Sequence, residues 1–222
     1  QKHATIAIEA GSDRLRKVIN KNLAEEQIFK TVKTAYENGL KGLKIYAMIG
    51  HPTETQEDID EMINLASRLK KEFKTFDFTY SFATFVPKSH TPFQFCKRED
   101  NKTLEKKYNY LKKRFHQLGI KIRCSSINWD YYQALLSRGD RRLCKYVEEV
   151  YKQGGNLGAF KNAYKKLKAK KLLPSSDTFA LSSLRTSEPL PWDFINVYPG
   201  REILEKEHKR LLSVPCCTNK IL

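Results

Sequence analysis

The chain has 222 residues, of which 40% are hydrophobic, and carries a formal net charge of +16. This length and apolar content allow a substantial core in one or two domains. No apolar run approaches the roughly 20 residues that a membrane helix requires, and no signal-peptide pattern is present, so no membrane association is predicted.

The five cysteines, at positions 96, 124, 144, 216 and 217, are scattered and form no disulfide framework. An odd, scattered set of thiols is typical of a reducing compartment, so the sequence predicts a cytoplasmic protein. Cys124 and Cys144 are expected to be ordinary buried thiols.

The positive charge is concentrated in one segment. Residues 101–172 contain 19 Lys and Arg but only 5 Asp and Glu, whereas residues 1–100 contain 16 and 14. A field of this sign attracts RNA, DNA or another polyanion. The alternative is a set of solvated helix faces, and no nucleic-acid-binding motif decides between the two.

The N-terminal part of the chain alternates between strand and helix patterns. Residues 5–9 form a short apolar strand, and Ser12 is placed to cap the helix that follows. A second helical pattern ends at Asn38 and Gly39, a good C-cap signal. Residues 42–49 form a continuous apolar run, which predicts a strand buried on both faces.

The alternation continues through a third strand. Thr55 and Asp58 have the spacing of a capping box, and the helix that they begin carries an apolar stripe from Ile59 to Leu69. Residues 76–85 return to a strand pattern, rich in Phe, Thr and Tyr. This order predicts parallel strands joined by right-handed helical crossovers.

The remaining sequence is mostly helical. Residues 86–93 contain two prolines and predict a loop, residues 103–118 predict a helix, and residues 120–124 predict a fourth short strand. Further helices are expected near residues 129–137, 140–152, 158–171, 176–186 and 200–212. Residues 1–125 are therefore predicted to form an α/β domain, and residues 126–222 a basic-to-neutral helical extension.

Two of the predicted strands end in similar chemistry. A carboxylate, a glycine and a hydroxyl follow the first strand at residues 9–12, and the same three groups follow the second at residues 50–54. Side chains at the carboxyl ends of parallel strands form the ligand rim of an α/β barrel. The chain is therefore expected to carry part of such a rim.

At these residues the sequence resembles the radical S-adenosylmethionine (SAM) superfamily. Residues 9–16 (EAGSDRLR) resemble its fourth strand and following helix, and residues 46–55 (YAMIGHPTET) its fifth strand and Gly-x-Pro-x-Glu turn. Residues 85–93 (FVPKSHTPF) and 137–142 (SRGDRR) resemble a narrower branch in which a cobalamin-binding-type domain precedes the barrel. The resemblance implies the C-terminal part of a partial TIM-type (β/α) barrel, with cobalamin as a candidate cofactor of the intact protein.

The resemblance also implies roles for particular residues. Glu9 and Ser12 correspond to contacts with the SAM ribose, and a carboxylate and a hydroxyl suit a diol. Lys21 is placed to meet the SAM carboxylate. The residues alone also allow other roles. Ser12 could only cap its helix, Glu9 could form an ion pair with Arg14 or Arg16, and Lys21 could be solvated.

The second motif implies further contacts. Ile49 and Gly50 lie where family members approach the adenine, and a bare glycine backbone allows close contact. Glu54 is expected to organise the turn before the next helix. The alternative for Ile49 is ordinary core. His51 departs from the hydrophobic residue that is usual before this proline.

One requirement of radical SAM chemistry is absent from the sequence. The superfamily holds a 4Fe–4S cluster through a Cys-x3-Cys-x2-Cys motif, and thiolates are the usual ligands of such clusters. No such triplet occurs here, and Cys216 and Cys217 are adjacent with no third cysteine near them. The chain is therefore interpreted as a fragment that lacks the N-terminal half of its own barrel, and alone it is expected not to form the cluster or cleave SAM.

The intact protein is then expected to cleave SAM reductively to a 5′-deoxyadenosyl radical that acts on an unidentified substrate. The alternative function is a basic RNA-binding module in which residues 101–172 contact phosphates. The two combine if the intact protein is an RNA-modifying radical SAM enzyme.

Overall fold

A computed structural model describes residues 2–215 of the chain. Four parallel strands form one sheet, in the spatial order β1-β2-β3-β4, so each strand pairs with the next one in the chain. The strands are β1 His3–Glu9, β2 Gly42–Ile49, β3 Asp77–Thr84 and β4 Lys121–Cys124. This is the α/β architecture with parallel strands that the sequence predicts, consistent with part of a (β/α) barrel.

Helices connect the strands and then continue beyond them. Between the strands lie α1 Asp13–Val18, α2 Glu25–Glu37, α3 Gln56–Glu72 and α4 Asn101–Gln117. After β4 come α5 Ile127–Arg138, α6 Leu143–Lys152, α7 Leu157–Ala169, α8 Ser176–Ala180 and α9 Arg201–Ser213. The helical extension is therefore confirmed. None of the helices in residues 2–215 is both long and apolar enough to cross a bilayer.

The chain divides into two compact units. The first contains the segments up to Phe85, Lys102–Ser125 and the last described residues from Arg210 on, and the second contains Val86–Asn101 and Ser126–Lys209. The sheet, with α1 to α4, therefore belongs to the first unit apart from the first residue of α4. The loop after β3 groups with the helices of the second.

The sheet of the first unit has one buried and one exposed face. In β2 the side chains of Leu43, Ile45, Ala47 and Ile49 are buried, whereas Tyr46 between them is 42% exposed. The same alternation runs through β3, where Phe78, Tyr80, Phe82 and Thr84 are buried and their neighbours are not. The prediction that β2 is buried on both faces is therefore wrong, because Tyr46 is exposed and Lys44 and Met48 beside it are only partly buried.

A close approach of backbones joins the first loop to α3. A Cβ atom on Gly11 would lie 2.3 Å from both the Cα and the backbone N of Met62. Met62 is buried in the middle of α3. Only a residue without a side chain fits there, so Gly11 sets the distance between the end of β1 and α3.

The second unit has its own core and a buried arginine. The core residues come from α5 to α8 and the segments beside them: Ala134, Leu135, Leu143, Tyr146, Val150, Ala159, Ala163, Tyr164, Leu167, Leu173, Phe179 and Ala180. Arg138, 2% exposed, donates to the backbone carbonyls of Ala180 and Ser182, at 3.3 and 2.6 Å. The helix expected over residues 176–186 ends at Ala180, because these carbonyls bind the guanidinium instead of continuing a helical ladder.

The predicted burial of two cysteines is wrong. Cys144 is exposed and Cys124 is partly exposed, whereas Cys96 is buried. In α6 the inward positions are Leu143, Tyr146 and Val150, so helical periodicity turns Cys144 outward. Cys124 is the last residue of the edge strand β4, whose four residues are all exposed or partly exposed.

We predict that Gly11→Ala destabilises the chain by about 1–3 kcal/mol, because the added methyl group forces β1 and α3 apart. Thermal unfolding of the variant should begin several degrees lower. Gly200→Ala is the matched control, since a Cβ there meets no atom within 4 Å. Equal melting temperatures for the two variants would show that the contact does not constrain the loop.

Candidate functional site

The candidate site lies where β1 and β2 end. Because the two strands are parallel and adjacent, their carboxyl ends meet at the same edge of the sheet. Glu9 is the last residue of β1, and Gly50 follows the last residue of β2. The loops that carry the sequence-predicted residues therefore leave the sheet side by side.

Glu9 has an unusual backbone. Its φ is +64°, and the pairing of β1 with β2 is irregular between Ala7 and Glu9. A left-handed conformation is costly for a residue with a side chain, and strand irregularities often redirect a side chain near a functional site. The end of β1 thus combines local strain with a carboxylate.

Two of the predicted SAM contacts meet in an ion pair. Lys21 Nζ lies 3.6 Å from Glu9 Oε1, with side-chain exposures of 35% and 25%. Neither of the predicted arginine partners forms an ion pair with Glu9, because Arg14 pairs with Asp58 and Arg16 pairs with Asp13. The structure therefore leaves a partly exposed carboxylate and ammonium together at the rim.

Glu54 closes the turn after β2. Its Oε1 accepts a hydrogen bond from the Gly50 backbone N–H at 2.9 Å and an ion-pair contact from Lys107 Nζ at 2.8 Å. The Glu54 side chain is only 2% exposed. Gly50 itself has φ +80°, which favours glycine. The expectation that Glu54 organises this turn is confirmed, while Thr55 and not Glu54 stands at the N-cap of α3.

Ser12 is tied into a buried network around Asp58. Its hydroxyl accepts from the Leu15 N–H at 3.0 Å, which confirms the helix cap, and donates to Asp58 Oδ1 at 2.5 Å. Arg14 donates to both Asp58 oxygens, and the Thr55 N–H donates to Oδ2 at 2.9 Å. Burial alone would raise the pKa of Asp58, but the hydrogen bonds from Arg14 and Ser12 hold that pKa below its usual range.

Ile49 lies in the core and not at the rim. It is 2% exposed and lines, with Met62, Phe82 and Leu111, a cavity of only about 10 Å³. That volume is close to the minimum for one water molecule. The side chain of Ile49 therefore packs between sheet and helices, and only its backbone reaches the edge.

His51 is a residue of the site that the motif did not assign. The ring is 4% exposed, packs on Phe85 with 5.5 Å between ring centroids, and has no hydrogen-bond partner for either nitrogen among the described residues. Burial lowers the pKa of His51 to about 4, although the nearby backbone of Glu9 opposes this shift. The signal in the sequence was a polar residue between Gly50 and Pro52 where an apolar one is usual.

The loop residues Lys88 and His90 belong to the second unit. Lys88 Nζ donates to Ser137 Oγ at 3.2 Å, and burial lowers the pKa of Lys88. His90 has φ +56° and its backbone N–H donates to Gln94 Oε1. Asp140 and Arg142 form an ion pair at the start of α6. Their contacts lie within that unit.

The described residues do not fit an iron–sulfur cluster. Residues 2–215 contain no group of three His, Cys, Asp or Glu side chains able to hold a metal ion. Cys216 and Cys217 lie outside the described residues. Glu9 and Lys21 instead present a carboxylate and an ammonium, which are groups that hydrogen-bond polar organic ligands.

We predict that His51→Phe makes the chain less sensitive to acid. The unfolded chain protonates His51 near pH 6.5, whereas the folded chain does so only near pH 4. The neutral His51 therefore contributes to the free energy of unfolding above pH 6.5, and this contribution is lost as the pH falls toward 4. A phenylalanine does not titrate, so the variant should not show this decrease. Urea unfolding at pH 7 and pH 5 measures the difference, with the exposed His116→Gln as control; identical pH dependence in wild type and His51→Phe would contradict it.

Comparison with known proteins gives two matches. Residues 1–66 match the radical SAM superfamily, and they contain both rim loops, from β1 to the first part of α3. The chain is also 38% identical over 147 residues to Uncharacterized protein MJ0966 of Methanocaldococcus jannaschii, an alignment that covers 66% of this chain and 32% of that protein. The chain thus spans about a third of the length of the relative it matches. The match to the radical SAM superfamily therefore covers the N-terminal 66 of the 222 residues.

Proposed function

We propose that this chain supplies SAM-contacting loops of a radical SAM enzyme. The observation that carries the proposal is the partly exposed Glu9–Lys21 pair beside Gly50, at the carboxyl edge of two parallel strands in the segment that matches the superfamily. Bound SAM supplies the superfamily's radical chemistry at a 4Fe–4S cluster. The proposal assigns the cluster to another part of the intact enzyme, because this sequence lacks the cysteine triplet, and any cobalamin to the domain that precedes the barrel in the similar branch.

The charges of the pair suit the two polar ends of SAM. Glu9 accepts hydrogen bonds from the ribose hydroxyls, and Lys21 binds the carboxylate of the amino-acid part. The Ser12 hydroxyl already donates a hydrogen bond to Asp58 and accepts one from the Leu15 N–H. It therefore retains one acceptor lone pair for a ribose hydroxyl. The 3.6 Å separation of Glu9 and Lys21 leaves each group free to bond a ligand instead of its partner.

The second loop contributes backbone in this proposal. Gly50 lets a planar base approach, and the Ile49 backbone lies beside it. Since Glu54 already accepts from the Gly50 N–H, its role is to hold the turn in shape and not to touch the ligand. The scattered cysteines, which form no disulfide framework in the sequence, favour a reducing cytoplasm as the working compartment.

We predict that Glu9→Gln weakens SAM binding about tenfold, because a charged hydrogen-bond acceptor is lost. Titration of the chain with SAM, followed by saturation-transfer NMR of the ligand, measures this effect. Glu26→Gln, which neutralises an exposed carboxylate on α2, should bind as the wild type does. Unchanged binding in Glu9→Gln, or no saturable binding to the wild type, would count against the proposal.

Glu9→Gly separates binding from folding in the same experiment. Glycine removes the cost of the left-handed backbone, roughly 1–2 kcal/mol, and the exposed ion pair that it loses contributes little. This variant should therefore be at least as stable as the wild type while binding SAM more weakly. Lower stability together with lost binding would assign Glu9 a structural role.

RNA binding is the second candidate function. Lys161, Lys165 and Lys168 are exposed and, at helical spacing, form one stripe along α7. In the described part of the chain none of the three has an ion-pair partner, whereas Lys166 on another face pairs with Glu149 at 2.8 Å. An unpaired lysine stripe is suited to the phosphates of a nucleic acid.

We predict that the triple variant K161Q/K165Q/K168Q lowers single-stranded RNA affinity and reduces the slope of log affinity against log salt by about 2. Filter binding across a salt series measures both quantities. The matched control is K17Q/K30Q/K33Q, which removes three exposed lysines from α1 and α2. A flat salt profile for the wild type, or equal losses in the two triple variants, would eliminate the stripe as an RNA site.

A further inference from the structure

The exposed face of the sheet is polar and positively charged. Its side chains come from alternate positions of all four strands: His3, Thr5 and Ala7 of β1; Lys44, Tyr46 and Met48 of β2; Asp77, Thr79, Ser81 and Ala83 of β3; Lys121 and Arg123 of β4. We call these residues the open face. Three of them are cations, four carry hydroxyl groups, and Asp77 is the carboxylate among them.

The register of the sheet brings the cations together. Lys44 lies opposite Thr79, and Thr79 opposite Lys121, so these three residues form one row across the sheet. Tyr46, Ser81 and Arg123 form the next row. Adjacent strands are about 4.8 Å apart, so the backbones of Lys44 and Lys121 are separated by about 10 Å, a gap that two long side chains can close around one ligand.

The acidic residue of the open face lies away from these rows. Asp77 is opposite Gly42, at the amino-terminal end of the sheet. Lys44 Nζ donates to the Tyr46 hydroxyl at 2.8 Å and also lies over its ring. In residues 2–215, neither Lys121 nor Arg123 has an ion-pair partner. The cations in the middle of the face are therefore not neutralised by the chain itself.

This composition is unsuited to dry packing. Parallel sheets are commonly covered on both faces by aliphatic side chains, and the interior layers of a (β/α) barrel are filled by bulky branched residues. A lysine or arginine covered without a counter-charge loses its hydration and gains nothing in return. Whatever occupies the open face must bring negative charge.

We propose that the open face binds a small ligand that carries phosphate groups, held by Lys44, Lys121 and Arg123 across β2, β3 and β4. Arginine and lysine are the usual phosphate-binding side chains, and the hydroxyls of Thr79 and Ser81 between them donate to phosphate oxygens. Three cations match the charge of a diphosphate. The site is independent of SAM binding, since it uses none of the residues assigned to SAM.

Isothermal titration of the full chain with inorganic pyrophosphate, at low and constant ionic strength, tests the proposal. We expect saturable binding that weakens about tenfold in Lys121→Gln and about tenfold in Arg123→Gln. Lys113→Gln is the matched control, because it removes an exposed lysine of α4 from the same unit and should leave the affinity unchanged. Both β4 residues are exposed, so melting temperatures should stay at the wild-type value.

Each other outcome overturns the proposal. The proposal is wrong if pyrophosphate shows no saturable binding up to about 10 mM, or if Lys113→Gln weakens pyrophosphate binding as much as the β4 variants do. Succinate binding more tightly than pyrophosphate would indicate a carboxylate ligand instead. RNA binding that is weakened by Lys121→Gln while pyrophosphate does not bind would assign the face to a nucleic acid. Glu9→Gln should leave pyrophosphate affinity unchanged, which distinguishes failure here from failure of the SAM proposal.

Discussion

The buried carboxylate of Asp58 is the interaction on which the first unit depends. It receives hydrogen bonds from Ser12 and Arg14 of the loop and helix after β1, and from Thr55 at the start of α3. Breaking a buried ion pair of this kind typically costs about 3–5 kcal/mol, because the remaining charge is left without compensation. The two rim loops are therefore fixed to each other through Asp58, and the positions of Glu9 and Gly50 follow from that connection.

Most of the fold could be predicted from local patterns. The strands and the helices of the first unit follow from apolar periodicity and caps, such as Ser12 and the Asn38–Gly39 stop. The exposure of the second face of β2 was not predicted, because an apolar run that contains Lys44 and Tyr46 does not specify whether both faces are covered. The alternation in β3, DFTYSFAT, was the better guide, since it shows one apolar and one polar face. The end of α8 was missed because it depends on Arg138, which is distant in sequence.

The motifs name the residues of the candidate site but not the contacts among them. The ion pair between Glu9 and Lys21 depends on the backbone of Glu9 and on the length of α1, which no motif encodes. The sequence left two roles open for Ile49, an adenine contact or ordinary core. Its side chain packs in the core beside Met62 and Leu111. His51 packs on Phe85, the residue that follows β3, so its environment depends on the neighbouring strand and not on its own segment.

The agreement between chain order and strand order has a consequence for how the first unit assembles. Each of β2, β3 and β4 docks beside the strand that immediately precedes it, so no strand must wait for a partner from a later part of the sequence. The segment that closes at each step contains only one or two α-helices, which keeps the entropic cost of closure small. Such a sheet can add one strand at a time during synthesis on the ribosome. At each stage only the most recently added strand has an unpaired edge that waits for a later partner.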